Sequence, residues 1–154
     1  MKPLTPADPA AVQAFWHATG PTGPVPEAWA FGDHAELADE LLALVLAGTK
    51  TATASSLWDI EADGDPVPQV GDLSIVLDGA GQPRALIRTT QVRIVPFIDV
   101  DAEHARLEGE GDLTLSHWRE AHEAFFRRTA TGDRGFDETM PVVCERFEVV
   151  HPAD

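Results

Sequence analysis

Hydroxyl side chains surround one lysine near the middle of the chain, in the stretch AGTKTATASS. This residue, Lys50, is notable because the chain otherwise uses arginine as its cation, apart from Lys2. A desolvated lysine can give up its proton, whereas arginine effectively cannot, so the stretch predicts proton-transfer chemistry at Lys50. The alternative is a solvated lysine whose charge is favourable at the C-terminal end of the preceding helix. The neighbouring hydroxyl residues are Thr49, Thr51, Thr53, Ser55 and Ser56.

A second group that could do chemistry is the acidic segment LEGEGD, which contains Glu108, Glu110 and Asp112. Paired carboxylates can act as general acid and general base. The alternative is an acidic turn between two helices, which is the more common setting for such residues. Spacing alone does not select among the three carboxylates.

The sequence gives no support for a metal or a cofactor. HWREAH, at 117–122, has one residue too many for an inverted zinc-protease signature. On a helix, His117 and His122 would diverge by roughly 140°, and the single cysteine, Cys144, adds no credible ligand set. GTKT lacks the ending and the preceding strand of a phosphate-binding loop. We therefore expect no metal and no cofactor.

Charge restricts the choice of partner. The formal net charge is −15 and the pI is about 4.5, so long nucleic acid gains little from counterion release. A small basic cleft that includes Arg88 would still suit a single nucleoside or nucleotide, with single-stranded RNA as the alternative. Trp58, in SSLWD, fits stacking on a base and covering of the core equally well. No apolar run approaches the ~20 residues that span a bilayer, and a cytoplasmic protein is expected.

Hydrophobic periodicity outlines the elements that must position these residues. Asp33 is the predicted N-cap of a helix at 36–47, which ends before Gly48. LSIVLD and RALIRTTQVRIV, joined by GAGQP, predict an antiparallel hairpin. Helices are predicted at 100–108 and 115–128, and a final strand at 141–150. This order favours a mixed domain with a curved or barrel-like sheet over a doubly wound one.

The stretch Gly48-Thr49-Lys50-Thr51-Ala52-Thr53 resembles the G-x-K-x-x-T signature of the ASCH superfamily. The segments ELADELLALVLAGTKTATASSLW, VGDLSIVLDGAGQPRALIRTT and EGEGDLTLSHWREAH are similar to the larger bacterial branch of that superfamily, over most of residues 30–150. The resemblance implies an α+β fold, a PUA-like β-barrel with flanking helices. On this view residues 1–154 form one domain, with residues 1–30 as an N-terminal helical extension.

The resemblance also implies a function. Some smaller ASCH proteins are amidohydrolases that remove acetyl from N4-acetylcytidine with a Lys, Thr and Glu triad. The shared signature places the Lys and Thr on Lys50 and Thr53, and the similarity of HARLEGEGDLTL places the Glu on Glu108. We expect Trp58, Arg88 and Ser55 to bind the substrate. The alternatives are an RNA- or nucleotide-binding regulatory module, or a single-strand ribonuclease. A tyrosine is implicated in the nuclease activity, and this chain has none.

Overall fold

The computed structural model describes residues 2–20 and 22–152. In these ranges the chain forms five α-helices, five strands and one short 3-10 helix. The helices are α1 (Pro9–Ala18), α2 (Ala35–Leu46), α3 (Leu57–Asp63), α4 (Ala102–Glu108) and α5 (Leu115–Thr129), with the 3-10 helix at Phe97–Asp99. The strands are β1 (Glu27–Trp29), β2 (Ala52–Ser56), β3 (Leu73–Leu77), β4 (Pro83–Pro96) and β5 (Pro141–His151). None of the helices in the described part has the length and apolar character needed to cross a bilayer.

The five strands form one sheet in the order β1-β3-β4-β5-β2. β3 and β4 pair antiparallel, as the hairpin prediction requires, and β1 adds to β3 in parallel. β2 pairs antiparallel with β5, with Ala52 opposite Arg146 and Ser56 opposite Val142. The predicted grouping of the hairpin and the final strand in one sheet is confirmed.

Contacts within the chain divide it into two compact units. The first unit comprises the residues up to Gly48, the segment Gly71–Arg88 and the residues from Glu148 onward. α1 belongs to this unit, and its buried residues Val12 and Trp16 lie in the same apolar cluster as Ile75, Leu77 and Leu86.

The predicted helix before Lys50 is present as α2, in the first unit. Its N-cap is His34 instead of the predicted Asp33, because the His34 imidazole accepts the Leu37 amide at 3.3 Å. Leu41, Leu42 and Val45 are buried at helical spacing. Gly48 follows the helix with φ +80, a conformation that glycine adopts without steric cost.

The second unit comprises Thr49–Val70 and Thr89–Phe147. Its apolar core draws on α4, α5, β5 and the 3-10 helix, since it contains Phe97, Ala105, Trp118, Phe126 and Cys144. The polar cluster around Lys50 described below lies in this unit.

α3 was not predicted, because its residues follow a hydroxyl-rich strand and precede a Pro- and Gly-rich loop. The Ser56 hydroxyl accepts the Asp59 amide at 3.3 Å and begins the helix. Gly64 ends the helix in the left-handed conformation. α4 and α5 agree with the predicted helices at 100–108 and 115–128, and each begins at a side-chain cap, Asp101 and Thr114 respectively.

Candidate functional site

The backbone around Lys50 is fixed against the end of α4 and against β5. The Thr51 amide donates to the Leu107 carbonyl at 2.8 Å, and the Thr51 carbonyl accepts from the Phe147 amide at 3.0 Å. Gly109 permits this approach, because a Cβ at that position would lie 2.5 Å from the Thr49 carbonyl oxygen. Gly109 also has φ +71 as the C-cap of α4, so two constraints require glycine here.

The Lys50 side chain is almost fully buried, with 1% of its surface exposed. Its ammonium donates to the Ala52 carbonyl at 2.9 Å, to Glu108 Oε1 at 3.2 Å and to Glu110 Oε2 at 2.7 Å. The Glu108 carbonyl lies farther away, at 3.5 Å. Lys50 therefore lies at the C-terminal end of α4, where the helix dipole favours positive charge. The alternative reading of Lys50 as a solvated surface lysine does not hold.

Glu108 is the centre of the polar cluster and is also 1% exposed. Its Oε1 faces Lys50 and His122 Nε2, the latter at 3.3 Å. Its Oε2 accepts from His104 Nε2 at 2.8 Å and from Trp118 Nε1 at 2.5 Å. Since a carboxylate offers about four lone-pair sites, these four partners occupy its accepting capacity.

The electrostatic surroundings keep Glu108 ionised. Burial alone would raise the pKa of its carboxyl, but the positive charges of Lys50 and His122, with the hydrogen bonds from His104 and His122, hold the pKa well below its usual range. A buried charge is tolerated when it is paired and hydrogen-bonded. The ionised Glu108 carboxylate thus orients the side chains around it.

His122 stacks on Trp118, with ring centroids 4.2 Å apart. Its Nδ1 lies 2.9 Å from the Trp118 carbonyl, which can only accept, so Nδ1 carries a proton. Nε2 faces the Glu108 carboxylate at 3.3 Å, so a proton on Nε2 would be stabilised by that negative charge. Burial lowers the pKa of His122, but the charge and hydrogen bond of Glu108 outweigh burial, so the pKa lies above its ordinary value.

Donor atoms of Glu108, Glu110 and His122 lie within 4.8 Å of one another, a grouping that could hold a metal ion. The Lys50 ammonium already contacts both carboxylates, at 3.2 and 2.7 Å. In this structure the cation that these carboxylates bind is the Lys50 ammonium.

Thr53 lies in β2, opposite Glu145 of β5. Strand alternation places its side chain on the face opposite to Ala54, which packs against the apolar core of the second unit. Glu145 in turn accepts from the Thr89 hydroxyl at 3.2 Å. In the described part of the chain the Thr53 hydroxyl is not hydrogen-bonded to Lys50 or Glu108, so the structure joins Lys50 to Glu108 but leaves Thr53 outside that network.

The three residues expected to bind substrate lie in different places. Ser55 pairs with Val143 on the same face of β2 as Thr53. Trp58, in α3, packs against the apolar core and has the Arg134 guanidinium 5.1 Å above its ring. It also lines a cavity of about 320 Å³, with Asp59, Glu61, Ala62 and Gly132 through Gly135. Arg88 belongs to the first unit, is exposed and pairs with Glu148 at 2.7 Å.

Sequence reasoning missed His104, Trp118 and His122 as members of the site. His104 and Glu108 are four residues apart on α4, as are Trp118 and His122 on α5, so each pair occupies one helix face. That spacing was visible in the sequence, but the contact between the two faces was not. Trp118 packs in the apolar core of the second unit, and its indole also donates to Glu108.

The model of the ASCH domain matches residues 27–151, which include every residue of this cluster. The chain belongs to the ASCH domain family. Its similarity to solved structures agrees with this membership. Protein EF3133 from Enterococcus faecalis is 37% identical, with a TM-score of 0.84, and the match covers 92% of this chain and 89% of that one. No curated protein matches the chain significantly.

An ASCH domain from Lactobacillus crispatus is 28% identical, with a TM-score of 0.82 over 94% of this chain and 96% of that one. The hypothetical protein PH0355, at 14% identity and a TM-score of 0.53, shares the fold alone. The fold is therefore the α+β, PUA-like fold that the sequence resemblance implied. In this ASCH domain, the signature lysine is the residue that Glu108 and Glu110 bind.

Proposed function

We propose that this ASCH domain is a hydrolase that acts on a modified nucleoside, in the manner of an N4-acetylcytidine amidohydrolase. The observation that carries the proposal is the buried contact between Lys50 and Glu108, at 3.2 Å. Burying two opposite charges is costly unless geometry and hydrogen bonding compensate. A lysine of the family signature held in this way points to a chemical role, since a structural cation would be cheaper at the surface.

Amide hydrolysis needs an oxygen nucleophile, stabilisation of the oxyanion and a proton for the leaving nitrogen. With three acceptors around it, Lys50 is held as an ammonium in the resting site. An ammonium in a water-poor site can donate to the oxygen on which negative charge develops. Glu108 would position the Lys50 ammonium and compensate its charge. Lys50 would thus act as a hydrogen-bond donor.

The nucleophile in this proposal is the Thr53 hydroxyl. The Lys50 ammonium donates to the carbonyl of Ala52, the residue directly before Thr53. Ala52 and Thr53 both belong to β2, which is an edge strand of the sheet. An acyl group bound at this strand would have to contact Lys50 through its carbonyl oxygen and present its carbonyl carbon to the Thr53 hydroxyl, on the other face. The hydroxyl oxygen would bond to the acetyl carbon, the cytosine nitrogen would leave with a proton, and water would release acetate from the threonine ester.

A binding module for a nucleotide or for RNA is the second candidate. It is favoured by one observation, that all three N–H groups of Lys50 already have acceptors. A lysine whose N–H groups are all occupied has none left for an oxyanion, which suits a site that binds a ligand without converting it. The net charge of −15 then implies weak, salt-sensitive association with single-stranded RNA.

The experiment is an assay of the purified chain with N4-acetylcytidine and other acylated nucleosides, in which the release of the free nucleoside is followed by chromatography. Single-stranded RNA is tested in parallel for binding and for cleavage. We expect N4-acetylcytidine to be hydrolysed by the wild type and not by Lys50→Met, which removes the donor, with circular dichroism confirming that the variant is folded. Ligand binding without any turnover would replace the hydrolase by the binding module.

A further inference from the structure

Glu108 has no accepting capacity left for a substrate. Lys50 and His122 face its Oε1, while His104 and Trp118 face its Oε2. With 1% of its side chain exposed, it has neither a lone pair nor a solvent path with which to exchange protons. The carboxylate that exchanges protons with a bound molecule must therefore be another one.

Glu110 has the properties that Glu108 lacks. Its Oε2 lies 2.7 Å from the Lys50 ammonium, closer than Glu108 Oε1 at 3.2 Å, and 23% of its side chain is exposed. It lies in the turn between α4 and α5, with glycine on both sides, and Gly109 and Gly111 both have positive φ. The turn thus places one carboxylate between the buried lysine and the solvent.

We propose that Glu110 is a catalytic residue that touches the substrate and relays a proton during acyl transfer. This inference rests on the proposed hydrolase function. As the nucleophile oxygen bonds to the acyl carbon, its proton passes to Glu110 and the carbonyl electron pair moves to oxygen. As the C–N bond breaks, Glu110 returns the proton to the departing nitrogen. The same relay serves the water that releases the acid, so Glu110 ends each cycle ionised.

The relay also accounts for the crowded resting state of Lys50. When Glu110 takes up a proton, it loses its negative charge and its 2.7 Å contact with the ammonium weakens. One N–H of Lys50 then becomes available for the oxyanion at the moment when the oxyanion forms. The remaining bonds, to Ala52 and Glu108, keep the ammonium in place.

Other ionisable groups face this relay from the elements around it. Lys50 approaches from the connection before β2, and Glu108 and His104 from α4. His122 approaches from α5, and the charge of Glu110 contributes to its protonation. Because these groups interact, the pH profile belongs to the cluster, and a variant of Glu110 must be compared with variants of its neighbours.

The test is the pH dependence of kcat and KM for N4-acetylcytidine in the wild type, Glu110→Gln, Glu110→Asp and Glu103→Gln. Glu103 is the matched control, since it is an exposed glutamate of α4 that pairs with Arg146 at 3.2 Å. We expect Glu110→Gln to lower kcat by ~10²-fold or more, as loss of a general acid–base group does. KM should change little, and the acidic limb of the kcat profile should disappear. Glu110→Asp should keep that limb at a reduced rate.

The outcomes separate the two proposals. An inactive wild type would overturn the hydrolase function and this relay with it. An active wild type whose kcat is unchanged by Glu110→Gln would overturn the relay alone. If Glu110→Gln does not fold, Glu110→Asp decides: a lower kcat at an unchanged Tm supports the relay, and an unchanged kcat refutes it. Glu103→Gln should match the wild type throughout.

Discussion

The Glu108 carboxylate lies 3.2 Å from the Lys50 ammonium, and the two residues are separated by 58 positions in the chain. Each side chain is 1% exposed, so the pair is almost completely shielded from water. Removal of one partner leaves the other buried charge only partly compensated, by Glu110 for Lys50 or by His122 for Glu108, which is more costly than removal of both. Substitutions in this pair therefore measure how much the site contributes to the free energy of unfolding.

The first prediction is a double-mutant cycle on this pair. Lys50→Met and Glu108→Gln should each lower the free energy of unfolding by about 3–5 kcal/mol. The double variant should cost less than the sum of the two, by roughly 0.5–3 kcal/mol. Urea unfolding followed by circular dichroism measures all the terms. Arg127→Met is the control, because it breaks an exposed pair with Glu123 and should cost less than about 1 kcal/mol. Additive costs at positions 50 and 108 would show that the two residues are not coupled.

The second prediction concerns the glycine that lets the two halves of the site approach. Gly109→Ala adds a Cβ 2.5 Å from the Thr49 carbonyl oxygen, in a residue with φ +71. Gly64→Ala is the matched control, since Gly64 also ends a helix with φ +72, but a Cβ added there would meet no atom within 4 Å. Both variants carry the left-handed strain of about 1–2 kcal/mol, and only Gly109→Ala adds the backbone clash. We expect Gly109→Ala to lower Tm clearly more than Gly64→Ala. Equal shifts would mean that the close approach is not required.

Local patterns in the sequence were enough to predict several elements of the fold. The helical spacing of apolar residues before Gly48 predicted α2, and two strand-like runs joined by the turn GAGQP predicted the hairpin. The cap at Asp33 was misassigned, because the neighbouring His34 imidazole begins the helix by accepting the Leu37 amide. The pairing of β2 with β5 joins residues about 90 positions apart, and β2 was not predicted as a strand, because local periodicity carries no information on so distant a partner.

Only those site residues that lie in a recognisable sequence motif could be predicted. Lys50 was identified from its neighbours and Glu108 from a short similarity, and the structure brings these two together. His104, Trp118 and His122 could not be found, because their role depends on how α4 packs against α5. Each helix shows a polar pair at helical spacing, but only tertiary contact shows that both pairs meet one carboxylate.

The third prediction tests Thr53 as the nucleophile. Thr53→Val keeps the branched shape in β2 but removes the hydroxyl, so turnover of N4-acetylcytidine should fall below detection. Thr53→Ser keeps the oxygen and should retain part of kcat. Initial rates report the activity, and thermal melting checks that both variants are folded. A Thr53→Val protein with wild-type kcat would assign the attack to water, in agreement with the position of Thr53 outside the Lys50 network.

The last prediction follows from the raised pKa of His122. Protonated His122 donates to Glu108, whereas neutral His122, with its proton on Nδ1, turns a lone pair toward that carboxylate. Because the folded pKa lies above the unfolded one, this stabilisation is fully present below the unfolded value, about 6.5, and is lost as pH rises through the folded value. Glu108 has the opposite dependence. Its pKa is lowered in the folded protein, so the stability that it contributes is lost only at lower pH, as pH falls through the folded pKa of Glu108.

Urea unfolding between pH 5.5 and 9 should therefore show the wild type losing its stability advantage over His122→Gln as pH increases. His17→Gln, which removes an exposed histidine of α1, should run parallel to the wild type. An advantage over His122→Gln that stays constant across this range would mean that His122 is not charged in the folded protein.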